Sequence, residues 1–510
     1  MDIFGLNKSH FSAHIRIFAI EKNGCLGSMN DDFNWEDDLR PEELAERFDR
    51  MMESGTEEYF DTDEFESLID YYLMLFNNEK ATLVLEKGIN MHPGSNSLKI
   101  RNARYLASEG NYLRALSILE EVERTEPQNP DLLMTRASVY SMMMDFQKAV
   151  KEYKKALVVV DEDEMEDVYT SIAFEYENMG AYDHALTYLR KALEISSWPD
   201  QIIYEIGMCY EMAGKMDEAV AFFSQFLEEH PTSIAAWFNL AMAYHQIELY
   251  EKAVDAFEYA IAIDDTYIPA YQSLGQSYMA LGMYYKALDV FEESATIEPP
   301  EPLIIYYMGE CYEKLGEFEM AEKQYRKAVE LDPSLPEAWA GLSVVADEKG
   351  EIKNALKYIE KAISYDSNNT DFLLIQAEMY IRNGLFEKAK ATFQRIEEID
   401  PNDPDLWLDF AVFYLKTGEL NNAVQVLKTG LIHQPQNTAI QYRLVAMLLL
   451  NNSINQALFY LEGALTKDLD GLQEFLHFFP SALKYPAVME MIESYHHEVG
   501  KATGGFSETI

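Results

Sequence analysis

Small and apolar side chains recur along this chain at a fixed interval. Ala81, Ala115, Ala149, Ala185, Ala219, Ala253, Ala287, Ala321, Ala355, Ala389, Ala423 and Ala457 stand 34 residues apart at ten of the eleven steps, and 36 apart from Ala149 to Ala185. A period of this length marks a repeat architecture. Twelve repeats run from Thr62 to Gly471, with Glu164 and Met165 as two inserted residues. Numbered 1 to 34, each repeat carries apolar residues at positions 4, 7, 8 and 11, the i, i+3, i+4, i+7 stripe of a helix, and again at 17, 20, 24 and 27. Each repeat is therefore expected to be two antiparallel helices, A and B.

Position 8 is Gly, Ala or Ser in ten of twelve repeats, position 11 is tyrosine in nine, position 15 glycine in eight and position 32 proline in seven. Glycines such as Gly180, Gly282 and Gly418 fall where helix A must end in a left-handed cap. Pro93, Pro231, Pro333, Pro401 and Pro435 fall where helix B cannot continue. In repeat 8 the pattern reads Gly309, Tyr312, Gly316, Ala321, Tyr325, Ala328 and Pro333, while Trp339 and Trp407 occupy position 4 of repeats 9 and 11. This pattern resembles the tetratricopeptide repeat family over residues 62–471, about four-fifths of the chain. The resemblance implies an all-α, right-handed superhelical solenoid whose concave groove, lined by the A helices, holds peptides or protein segments. Repeats 1, 2, 9 and 12 depart from it, with Ile69 or Val445 at the small position and Leu106, Ala346 or Leu448 in place of tyrosine.

Composition narrows the function classes. Hydrophobic residues make up 48% and charged residues 25%, a globular balance, and the longest apolar runs, such as Val445 to Leu450, are too short to cross a bilayer. Asp and Glu number 88 against 41 Lys and Arg, giving a net charge of −47 that repels phosphate backbones and anionic headgroups. Nucleic acid and membrane are excluded as expected partners. Cys25, Cys209 and Cys311 form no Cys-x-x-Cys pair, which speaks against disulfide and zinc frameworks and for a reducing cytoplasmic location. His497 and Glu493 share a helical face, but two ligands do not make a zinc site. The chain has no phosphate-cradling Gly-Lys-Thr loop, no Gly-x-Gly-x-x-Gly and no Gly-x-Ser-x-Gly elbow, and only 39 residues follow Gly471. The reading is a non-enzyme with no cofactor, no metal and no small-molecule substrate.

What distinguishes this chain should lie on the A helices. The family's groove positions are 2, 5, 6, 9, 12 and 13, which here select Phe174, Glu177, Tyr204, Glu205, Met208, Glu211, Phe238, Asn239, Met242, His245, Gln272, Gln276, Tyr306, Tyr307, Glu310, Glu313 and Asp347 as protein-binding candidates. The family's Lys, Asn and Arg carboxylate clamp is absent. Over repeats 4 to 9 nine acids at these positions, including Asp167, Glu337 and Glu348, face one cation, Lys314. Methionine and aromatic side chains adapt to varied partners, and acids draw cations inward. The expected partner is a protein or peptide segment, basic and partly apolar. The alternative is a structural assembly subunit that self-associates through lateral or end surfaces.

Outside the repeats, residues 1–28 differ abruptly in composition from the acidic segment opening at Met29, and are expected to be disordered or upstream sequence. In residues 29–61, Leu44, Phe48 and Met51 share one face of a helix expected from Pro41 to Glu53, as a cap or a groove-blocking segment. Six of seven residues from Asp161 to Asp167 are acidic, which predicts a solvated loop at the insertion. Residues 472–500 are expected to cap the last repeat through Val488, Met491, Ile492, Tyr495 and Val499, and 501–510 to be disordered.

Overall fold

The computed structural model describes residues 40–55 and 57–502, with side chains through Tyr495. The expectations for residues 1–28 and 503–510, and for the side chains of His496, His497 and Val499, lie outside that range, whereas Lys501 and Ala502, expected to be disordered, continue the last helix, Pro486–Ala502. Among the described residues there are 27 α-helices, two short 3₁₀ turns and no strand. The chain divides into two compact units, one ending at Ala243 and one beginning at Tyr244.

Helix starts follow local chemistry. Position 34 supplies the cap of the next A helix. There the side chains of Ser95, Asn129, Ser233, Asn369 and Asn437 accept from the backbone N–H three residues on. Pro130, Pro302, Pro336 and Pro404 sit at the first helical residue, where a missing N–H costs nothing.

Helix ends recur with the same 34-residue period. Position 15 is left-handed in all twelve repeats: Gly110, Gly180, Gly214, Gly282, Gly316, Gly350, Gly384 and Gly418, and also Phe76, Met144, Glu248 and Asn452. Four repeats thus hold a side chain in a conformation that only glycine adopts freely. The turn is imposed by the repeat, not chosen by the residue.

Packing explains the small positions. The position-20 alanines are buried in every repeat. At position 8, a Cβ on Gly275 would lie 2.3 Å from the Phe291 ring and one on Gly309 2.6 Å from Tyr325, both rings standing at position 24. A ring on helix B thus fills the space a missing side chain on helix A leaves, which is how two helices approach closely. Lysine at position 19 rides over the position-11 tyrosine in five repeats, as Lys80 over Tyr72 and Lys286 over Tyr278, at 5.0 to 5.4 Å. Position 4 links successive repeats. Trp237, Trp339 and Trp407 each donate Nε1–H to the position-32 proline carbonyl of the preceding repeat at 2.9 Å. Tyr271 and Gln441 make the equivalent bond at 3.2 Å.

The 36-residue step is where regularity breaks. Helix B of repeat 3 ends at Ala156, a full turn before helix B of repeat 4 would by the same count, and Glu162–Glu164 form an exposed 3₁₀ turn before the next helix opens at Met165. Two buried polar groups flank it. Arg136, at stripe position 7, pairs with Glu152 at 2.6 Å and Glu123 at 2.7 Å. Glu175 is 1% exposed and has one oxygen, Oε2, with no donor. Burial pushes its carboxyl up to about 7.

Both ends of the array are covered. The helix Pro41–Ser54 puts Leu44, Phe48 and Met51 onto Phe65 and Leu68 of repeat 1, the stripe that an interior repeat presents to its neighbour. Arg47 fixes it through Glu64 at 2.6 Å, and Asp49 receives Lys80 at 2.7 Å. At the other end Val488 and Ile492 are buried and Tyr495 meets Thr466 at 2.9 Å on helix B of repeat 12. The intervening residues 472–485 lie instead on the A helix of that repeat. Phe475 stacks on Tyr442 at 5.5 Å, Arg443 sits 3.5 Å from the Phe478 ring centre, and the Tyr485 hydroxyl donates to the Leu449 carbonyl at 3.1 Å.

Replacing Ala287 by leucine overfills a closed contact and should lower stability by about 1–3 kcal/mol in chemical denaturation. Met144→Gly should raise stability by about 0.5–1 kcal/mol while Gly282→Ala lowers it by a similar amount, because the same left-handed turn is required at both sites. For Glu175, the folded carboxyl holds its proton up to about 7 while the unfolded one loses it near the ordinary glutamate value. The native state therefore binds more protons in that window, and stability falls as pH rises through it. Melting curves from pH 5 to 8 should show this decline flattened in Glu175→Gln, with the variant the more stable form at about pH 8.

Candidate functional site

The structure keeps all seventeen candidate residues half-buried or exposed, whereas other residues at A-helix positions 2, 5, 6, 9, 12 and 13, such as Ala235, Ala340 and Thr135, are buried. The candidates fall into two groups, one in each compact unit.

In the unit ending at Ala243, the helices Met165–Asn178, Pro199–Ala213 and the start of Ile234–Gln246 carry Phe174, Glu177, Tyr204, Glu205, Met208, Glu211, Phe238, Asn239 and Met242. Tyr204 and Phe238 meet edge to face at 6.2 Å, and the Cys209 thiol donates to Glu177 at 3.3 Å. Met208 is 43% exposed, with Met212 beside it also exposed. Asn239 is committed to structure: it donates to the Ala235 carbonyl at 2.8 Å, and its Oδ1 lies 1.9 Å from where a Cβ on Gly207 would be. Residue 207 must be glycine for Asn239 to sit there.

In the unit beginning at Tyr244, His245 bonds the Ser277 hydroxyl at 2.9 Å, and burial holds its imidazole below the usual pKa, in the neutral form at pH 7. It is a packing group more than a free contact. Gln272 and Gln276 are half-buried on the next A helix, Ile268–Ala280. On Pro302–Lys314 the rings converge. Tyr306 lies 5.4 Å from Tyr307 and 5.7 Å from Tyr325, and Tyr307 stacks on Phe291 at 6.2 Å. Glu313 accepts from the Tyr325 hydroxyl at 2.8 Å, and Glu310 stands one helical turn beyond Tyr306. Burial raises both carboxyls above the ordinary range, with the exposed Lys314 acting in the opposite sense. On the following A helix Glu337 has one oxygen, Oε2, enclosed and without a donor.

The count of nine acids against one cation needs correction, because it stops at repeat 9. Arg382 of repeat 10 reaches back to Asp347 at 2.8 Å and Glu348 at 3.0 Å. Asp347, expected to meet a ligand, is thus already neutralised within the chain. Arg101 does the same in repeats 1 and 2, with Asp70 at 2.5 Å and Glu66 at 3.4 Å. The signal was available: an arginine at a groove position follows the acids by about one repeat in each case. The enclosed Glu337 oxygen carries no such signal, since it depends on how neighbouring A helices close around it. Among the described residues no three His, Cys, Asp or Glu side chains stand close enough to hold a metal ion, and no helix is long and apolar enough to cross a membrane.

Tetratricopeptide repeat family profiles match residues 268–301 and 302–335, which are repeats 7 and 8 as counted from the alanines, and residues 348–408 and 396–448. A profile for subunit 3 of the anaphase-promoting complex, or cyclosome, matches residues 178–260. No curated protein matches the chain. Among solved structures, yeast Tom70 is 13% identical, covering 85% of this chain and 95% of its own, with a TM-score of 0.46. The Cut9–Hcn1 hetero-tetramer of the anaphase-promoting complex gives 15% identity, 80% and 99% coverage and a TM-score of 0.40. A human IFIT1 dimer with PPP-AAAA gives 18%, 66% and 89%, and 0.37. The repeat profiles and the 34-residue frame, rather than these distant likenesses, settle the matter: the chain belongs to the tetratricopeptide repeat family.

Proposed function

We propose that this protein is a non-enzymatic scaffold that binds basic, partly apolar protein segments along its A-helix faces. The observation that carries this reading is the pairing, on one face of the A helices, of carboxylates with an exposed methionine and half-buried aromatic side chains: Glu177, Glu205 and Glu211 with Tyr204 and Met208 in one unit, and Glu310 and Glu313 with Tyr306 and Tyr307 in the other. Carboxylates steer a cationic segment, and the rings and thioethers between them bury its apolar side chains. Chain-wide charge of −47 adds a field of the same sign, so association should be fast and sensitive to salt.

Self-association as a structural subunit is a second reading, drawn from an apolar edge in the turns between A and B helices. There Phe76 is 76% exposed, Met144 79% and Leu113 80%, with Leu73, Met74 and Leu75 also exposed. Exposed apolar groups in such number mark contact surfaces more often than bare solvent does.

A fluorescent peptide of alternating lysine and leucine should bind the whole chain and lose about tenfold in affinity between about 50 and about 300 mM salt. Its glutamate counterpart should not bind. The double variants Glu177→Lys, Glu205→Lys and Glu310→Lys, Glu313→Lys should each weaken it by about tenfold or more, and unchanged affinity in both would remove the A-helix faces as the binding surface. Sedimentation velocity decides the second reading: a concentration-dependent dimer that Phe76→Gly, Met144→Gly converts to monomer supports it.

A further inference from the structure

The carboxylates on the A helices fall into two states. Where an arginine stands one repeat further on, they are paired within the chain: Arg101 with Glu66 and Asp70, Arg382 with Asp347 and Glu348. Glu310 and Glu313 of repeat 8, and Glu337 at the start of repeat 9, have no such partner. Glu310, Glu313 and Glu337 form no ion pair among the described residues, and Lys314, the nearest cation on their helix, points into solvent. Two of them are held where burial opposes their charge, and the enclosed Oε2 of Glu337 meets no donor.

An orphaned carboxylate oxygen in a half-buried site is costly unless a partner arrives. The surroundings define that partner. The Tyr306 and Tyr307 rings stand 5.4 Å apart at an interplanar angle of 54°, Glu310 follows Tyr306 by one turn of the same helix, Glu313 accepts from the Tyr325 hydroxyl at 2.8 Å beside the Tyr306 ring, and the Glu337 charge reaches the Tyr306 hydroxyl from the next A helix. The carboxylates are too dispersed to hold a metal ion. Rings flanked by spaced carboxylates suit a flat, delocalised, weakly hydrated cation that stacks on one group while donating to the others, which describes a guanidinium better than a compact ammonium.

We propose that Tyr306, Tyr307, Glu310 and Glu337 form a receptor for an arginine side chain of the bound segment, which supplies the guanidinium that Arg101 and Arg382 provide in cis elsewhere. This rests on the A-helix face being the ligand surface. It adds that the face has a fixed anchor point, with arginine preferred over lysine at equal charge.

The test uses the full chain and two fluorescent peptides, hexa-arginine and hexa-lysine, at low salt. Hexa-arginine should bind about tenfold tighter, and Glu310→Gln and Glu337→Gln should each remove most of that preference while leaving hexa-lysine nearly unchanged. Both variants should melt at or above the temperature of the unaltered protein, because one removes a charge that burial opposes and the other replaces a carboxylate whose enclosed oxygen has no donor. Equal affinities for the two peptides, unaffected by either variant but lost in Glu177→Lys, Glu205→Lys, would overturn the arginine receptor and leave the groove reading standing. Failure of both peptides to bind would overturn both readings. Weaker binding accompanied by a lower melting temperature would assign the two glutamates a structural role and also overturn the receptor.

Discussion

Close approach of two helices at a point where one of them has almost no side chain is the contact on which the rest of this structure depends. Ala287 or Ala321 on helix B, and Gly275 or Gly309 on helix A, leave room that Phe291 and Tyr325 then fill. Once that contact is closed, the stripe of each hairpin is turned inward and positions 2, 5, 6, 9, 12 and 13 have only one way to face. The accessible chemistry of the chain follows from packing chosen on the opposite side of the same helix. The left-handed residue at position 15 belongs to the same constraint, since without it helix B would not return at the right height. That Phe76, Met144, Glu248 and Asn452 accept the conformation shows packing overriding backbone preference.

Acidity is distributed with more order than the net charge conveys. Some carboxylates serve the array itself: Glu152 and Glu123 hold the buried Arg136, Asp49 holds Lys80 against the first repeat, and Asp70 and Asp347 are bridged by arginines from the next A helix. Others stand on the accessible face with hydroxyls as their donors, as Glu313 does with Tyr325. A neutral donor satisfies geometry but not charge. The division between ion-paired and merely hydrogen-bonded acids describes this face better than counting charges can.

Most of the fold was legible in the sequence because the repeat restates each packing contact twelve times. Period, helix pairing, the turn at position 15 and the two-residue insertion all follow from side-chain size and spacing. Pairing across repeats was harder to see. Arg382 neutralises Asp347 from 35 residues away, and a reading that stops at one repeat misses it. Glu175 at position 10 gave no hint of enclosure, because burial there depends on Tyr153 and Ser141 of the preceding repeat and on the irregular step between them. Nor did the apolar stripe near the C-terminus reveal that residues 472–485, with Phe475 and Phe478, would lie on the inward helix of repeat 12. That contact is set by where the chain turns after Gly471, not by periodicity.

The bond from position 4 to the position-32 carbonyl has a consequence for how the array comes apart. In a linear stack each repeat is held mainly by its neighbours, so the strength of every junction counts separately. Trp237, Tyr271, Trp339, Trp407 and Gln441 fasten the junctions into repeats 6, 7, 9, 11 and 12, whereas Leu133, Ile203, Ile305 and Leu373 at the same position have no polar tip to offer. Fastened and unfastened junctions therefore alternate in the second half of the chain. Local opening is expected to stop at the fastened junctions and to begin where the bond is missing, as at the entries to repeats 8 and 10.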